Sequence, residues 1–131
     1  MKKDIPIHST AHVGIALTPN FEDDVWDVYL INMKDRMIKD IIINSKGYGE
    51  LDGKKIETQT MRYFIPYLGK ENAQKIELIH KDLLQVANEY WITFYIDANI
   101  YDKKVVFVQG SIAEDYFTNI PVLEKRGVMI L

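Results

Sequence analysis

The chain has 131 residues, 47% of them hydrophobic and 27% charged, enough for one domain with a substantial core and outside the disordered and membrane-spanning classes. Its 16 basic and 19 acidic residues give a net charge of -3 with the signs interspersed, so no field draws in a phosphate backbone and nucleic acid is not an expected partner. Cysteine is absent, which removes disulfides, thiolate nucleophiles and cysteine-ligated zinc together.

The amino terminus MKKDIPIHSTAHVGIAL carries two lysines, but Asp4, Pro6, His8 and His12 interrupt the apolar core that a secretory signal requires. With no run near the ~18 apolar residues of a spanning helix, the expectation is a mature cytoplasmic chain. His8 and His12 stand four apart, which puts both on one face of a strand or a helix, and Asp4 continues the spacing. They are weak metal candidates, with His80 as the remaining imidazole. Pro6 within the run and the missing H-E-x-x-H glutamate favour solvated histidines, so no metal and no cofactor is expected.

Period-2 alternation then dominates. Val13, Ile15 and Leu17 alternate against His12, Gly14 and Ala16 as a first strand, and a polar loop over 19–24 follows; its acids lack calcium-loop spacing. Residues 25–32 make a second strand with Trp26, Val28 and Leu30 on one face. Asp52-Gly53 predicts a type I′ hairpin turn, because both central positions need positive φ. That turn sets Leu51 opposite Lys54, Tyr48 opposite Glu57, Asn44 opposite Met61 and Ile42 opposite Tyr63, with Arg62 and Phe64 facing inward beside Ile43 and Ile41. Pro66 is expected to close the returning strand.

Within this hairpin Lys46-Gly47-Tyr48-Gly49 matches the start of an RNA-recognition consensus. The positions that should stack on bases are Glu50 and Gly53, so the run is better explained as a twisted hairpin, with Gly47 and Gly49 marking a bulge or close backbone approach. Gly47, Gly49 and Gly53 also miss the dinucleotide fingerprint by one position, and neither Ser45 nor Ser111 sits in a nucleophile motif.

Residues 74–80 alternate as a strand leading into a helical turn; a helix over 77–89, which would make the fold α+β, is the alternative. WITFYI, apolar or amphipathic on both faces, predicts a central strand. Trp91 and Tyr95 share one face of it about 13 Å apart at ~3.3 Å per residue, and their expected place is the core wall. Exposed, they would instead form a ligand platform with Tyr63. Ser111 and Glu114 pattern as a capping box for a short helix over 112–118. The apolar end Val128-Met129-Ile130-Leu131 needs cover, from its own sheet or from a second subunit.

The expected fold is therefore a single all-β domain over 1–131, an antiparallel β-sandwich of immunoglobulin or fibronectin type III-like architecture. The expected function is a non-catalytic interaction module for a protein partner or for self-association, with residues 128–131 as an interface. A carbohydrate or small-ligand binder using Trp91, Tyr95 and Tyr63, and a metal-dependent enzyme using His8 and His12, are the alternatives.

Overall fold

The computed structural model describes residues 9–21 and 24–131. In chain order the strands are β1 (Val13–Asn20), β2 (Val25–Asn32), β3 (Ile38–Leu51), β4 (Lys54–Glu57), β5 (Met61–Leu68), β6 (Asn72–His80), β7 (Ala87–Ile96), β8 (Asn99–Phe107), β9 (Thr118–Ile120) and β10 (Lys125–Ile130). They form two antiparallel sheets. The first runs β6-β2-β1-β10-β9; in the second, β4 and β5 lie end to end along one edge of the long β3, whose other edge pairs with β7, and β8 follows. This is an all-β sandwich of two packed antiparallel sheets.

The core lies between the sheets because alternation gives each a dry face. Val13, Ile15, Leu17, Val28 and Leu30 of the first sheet meet Ile41, Ile43, Tyr90, Ile92 and Phe94 of the second, each such buried side chain contributing about 1.5–3 kcal/mol. The first sheet has a small second cluster on its other face, where Ala16, Tyr29, Ile31 and Ile120 are packed with Leu123 and Met129.

Helix is confined to two 3-10 turns among the described residues. The helix expected over 112–118 reduces to Glu114–Tyr116, because the Ser111 hydroxyl donates to the Val108 carbonyl at 2.6 Å instead of capping. The α+β alternative with a helix over 77–89 is overturned: β6 continues to His80, a turn occupies Lys81–Gln85, and β7 starts at Ala87. The β2 ladder holds β6 through Trp26↔Ile79 and Val28↔Glu77, and local helical spacing does not outweigh those bonds.

Asp52 and Gly53 have φ of 52° and 77°, as the type I′ turn requires, and Leu51↔Lys54, Glu50↔Lys55 and Tyr48↔Glu57 pair as expected. Beyond them the register departs from expectation. Thr58 N–H donates to the Gly47 carbonyl at 2.8 Å, and its hydroxyl accepts from Gly47 N–H at 2.7 Å while donating to the Gln59 carbonyl at 3.1 Å. Gln59 and Thr60 then stand opposite Lys46 alone, and pairing resumes as Ser45↔Met61, Asn44↔Arg62 and Ile43↔Tyr63. This bulge reverses the side chains of β5: Tyr63 and Ile65 turn inward, and Arg62 and Phe64 outward. Nor does Pro66 close the strand, which runs on to Leu68 at a sheet edge where a missing N–H is tolerated.

The apolar terminus finds cover in its own sheet, with Ile15↔Ile130 and Leu17↔Val128 on β1 and Gly127↔Thr118 on β9. Two glycines permit this seam: a Cβ on Gly14 would stand 1.8 Å from the Ile130 carbonyl oxygen, and one on Gly127 2.2 Å from that of Leu17.

Candidate functional site

Three places concentrate chemistry: the outward face of the second sheet, a carboxylate between the sheets, and a groove at one end of the first sheet. On the outward face stands Trp91, 42% exposed, which corrects the expectation of core burial. Tyr90, Ile92 and Phe94 take the inward positions of β7, so Trp91, Thr93 and Tyr95 face out. Cross-strand neighbours run Arg62–Asn44–Trp91–Lys104 in one row and Phe64–Ile42–Thr93–Asp102 in the next. Phe64 is 61% exposed, and Tyr67 and Ile100 are equally open.

Asp102 and Glu89 on this face are engaged by its own side chains. Trp91 Nε1 and Thr93 Oγ1 donate to the same oxygen of Asp102. Tyr48 donates to Glu89 at 3.1 Å, and Lys104 lies 3.6 Å from Glu89 with its ammonium over the Trp91 ring. Arg62 Nε donates to Asn44 Oδ1 at 3.0 Å. These contacts fix the aromatic rings as a rigid, half-wet surface.

Tyr63 does not join it. Between the sheets, the Tyr63 hydroxyl donates to Glu77 Oε1 at 2.5 Å, the Ser45 hydroxyl to the same oxygen at 3.2 Å, and the Tyr90 hydroxyl to Oε2 at 2.9 Å. One carboxylate of the first sheet thus ties β3, β5 and β7 of the second. Burial, then the hydrogen bond to Glu77 and its negative charge, push the Tyr63 phenol up to about 12; burial and Glu77 also raise Tyr90 well above its ordinary value. Beside the carboxylate is a cavity of about 50 Å³, bounded in part by Gly47, Ile79 and Asn88, roomy enough for a water or two. A carboxylate fed by three hydroxyls is suited to clamping sheets. Ser45 and Ser111 are both occupied as donors, to Glu77 and to the Val108 carbonyl.

The groove opens where β1 and β10 part. Their ladder ends at Leu17↔Val128, and the first three paired residues of β10 turn to β9. Thr18, Asn20, Phe21 and Asp27 line one side, and Glu114, Phe117, Lys125 and Arg126 the other, around about 710 Å³. Asp27, buried, is held by Lys75 at 3.4 Å and by the Asn20 amide at 3.4 Å. Phe117 is held edge-to-face on Trp26 at 5.6 Å between ring centres. Sequence patterning did not single out this groove, since it depends on where two distant strands separate.

Of the metal candidates, Asp4 and His8 lie outside the described residues. His12 is exposed in the turn before β1, and His80 Nδ1 accepts from the Asp82 N–H at 3.2 Å, starting the turn after β6. Among the described residues no three His, Asp or Glu side chains gather as a metal site, and no helix is long and apolar enough to cross a membrane. Comparison of the chain with protein-family models, with curated proteins and with solved structures finds no match, so its functional assignment rests on geometry.

Proposed function

We propose that this chain is a non-catalytic interaction module that docks a protein partner on the outward face of its second sheet. The observation that carries the proposal is the exposed stripe of Phe64, Tyr67, Trp91 and Ile100, large side chains left in water on rigid strands, a composition typical of interface anchors. Charge selects the partner's chemistry. Glu89 and Asp102 are already engaged within the face, while Lys39 and Arg62 sit on the same side of the sheet. The complementary surface is an acidic one with apolar side chains. Around Tyr48, Glu50, Glu57 and Glu89 are interspersed with Lys46 and Lys55, a mixed lining that offers no continuous basic track for a phosphate backbone and so supports a protein over RNA. The lack of cysteine supports placing the module in the reducing cytoplasm.

The test is a photo-crosslinking residue at position 64, introduced in the native host. Expected is a single acidic protein joined to the chain, lost in Trp91→Ala while the purified variant keeps its unfolding midpoint. Crosslinks only between copies of the chain would replace the partner by self-association, crosslinks unaffected by Trp91→Ala would remove Trp91 as an anchor, and no crosslink from position 64 would overturn the docking face.

A further inference from the structure

We propose that the groove between the diverging ends of β1 and β10 binds a neutral polyhydroxylated small molecule, of the size and chemistry of a mono- or disaccharide. The site is distinct from the docking face and stands or falls independently of it. At about 710 Å³ the groove is within the range of roughly 300–1,000 Å³ common for small-ligand sites.

Its floor carries an unusual group. Thr18 is 1% exposed, lines the groove, and its hydroxyl has no hydrogen-bond partner among the described residues. A buried hydroxyl without a partner is costly; its oxygen is closed to solvent in this rotamer, and a turn about χ1 toward the groove that the residue lines would let a ligand hydroxyl remove that cost.

The charges lining the groove decide what kind of ligand. Asp27 is held by Lys75, Lys125 donates to the Tyr29 hydroxyl and Arg126 to the Phe117 carbonyl, and Glu114 shares the lining with both cations, so neither sign stands free to select a simple anion or a simple cation. The lining offers acceptors and donors on facing walls. A sugar hydroxyl donates and accepts at once, as such a mixed lining demands. Phe21, 94% exposed, and Phe117 add apolar ring surface for the C–H face of a pyranose. The alternative aromatic platform at Trp91 and Tyr95 offers, among the described residues, no buried polar group without a partner.

The experiment is an amide chemical-shift titration of the full chain with maltose, cellobiose and lactose, and separately with inorganic phosphate. Expected is saturable binding of at least one disaccharide, tighter than about 10 mM, with shifts centred on Thr18, Asp27 and Lys125. Thr18→Val, which removes only the hydroxyl, weakens it about five-fold or more without lowering the unfolding midpoint, and Phe21→Ala weakens it comparably from an exposed position. The proposal is overturned if no sugar saturates by about 50 mM, if the shifts centre on Trp91, if both variants bind as well as the parent, or if phosphate occupies the groove more tightly than every sugar.

Discussion

Replacing Glu77 with alanine should be felt across both sheets, because it strips three hydroxyls on three different strands of their acceptor at one stroke. A hydrogen bond to a charged group contributes about 1.5–3 kcal/mol. Ser45 borders the adjoining cavity of about 50 Å³, which admits water, and Tyr63 is half-buried, so these two hydroxyls recover part of the loss, leaving about 1 kcal/mol each. Tyr90 also borders that cavity but is fully buried, and its stranded phenol bears the largest share, about 1–3 kcal/mol. The total is about 3–5 kcal/mol, or a fall of roughly 10–20 °C in Tm for a domain of this size. Urea unfolding followed by tryptophan fluorescence measures it. Glu77→Gln keeps one carbonyl acceptor and should lose only about 1–2 kcal/mol. A Glu77→Ala loss below about 1 kcal/mol would refute the clamp, showing that solvent already serves the hydroxyls and that packing alone joins the sheets.

The same cluster sets an alkaline limit: the Tyr63 phenol is raised from 10.0 to about 12 in the folded chain, so its contribution is intact below pH 10.0 and is lost as the pH rises toward 12. Stability should fall across that window, and Tyr63→Phe should make the fall shallower, checked by unfolding at stepped pH beside tyrosinate absorbance. Gly53→Val forces a β-branched residue to a φ of 77° and should cost about 1 kcal/mol or more, seen as a lower urea midpoint with unchanged m. Gly14→Ala places a methyl 1.8 Å from the Ile130 carbonyl oxygen and should cost about 1–3 kcal/mol or more by prising β10 from β1, with faster amide exchange along β10 as its signature. Deleting residues 128–131 removes strand pairing to β1 and should give an unfolded or aggregated product by circular dichroism and sedimentation; a folded product would show that the strand is dispensable to its own sheet.

Alternation made the strands legible, and Asp52-Gly53 made the tight turn legible, because both signals are local. The choice of inner face was not. In β7 one side offers Tyr90, Ile92 and Phe94 and the other Trp91, Thr93 and Tyr95, two nearly equal sets, and only pairing with β3 and β8 decides that Trp91 meets water. The bulge lies beside Gly47, one of the two glycines whose presence suggests a bulge or close approach, but the extra residue is in the facing segment at Gln59 and Thr60, and its place follows from the hydroxyl of Thr58 gripping the backbone of Gly47. Glu77 offered one weak hint, an acid on the same side of β6 as Ile79, but its partners come from positions 45, 63 and 90, and no spacing rule joins these. The groove is further still from local pattern, since strands from opposite ends of the chain form it.

That bulge makes the second sheet a matter of odd and even. Whether a β5 side chain belongs to the interior or to the docking face is decided by one extra residue opposite Lys46, so the two surfaces are written in the same count. Pairing Lys46 with a single residue while both Gln59 and Thr60 stay in the chain would slide β5 one place along β3, sending Phe64 inward and Tyr63 outward and exchanging the partner's anchor for the clamp's donor. Deleting one of the two instead leaves Met61 opposite Ser45 and Tyr63 opposite Ile43, and both surfaces survive. What the segment guards is therefore register and not length: the chain can lose a residue here, but it cannot let the strand slip by one.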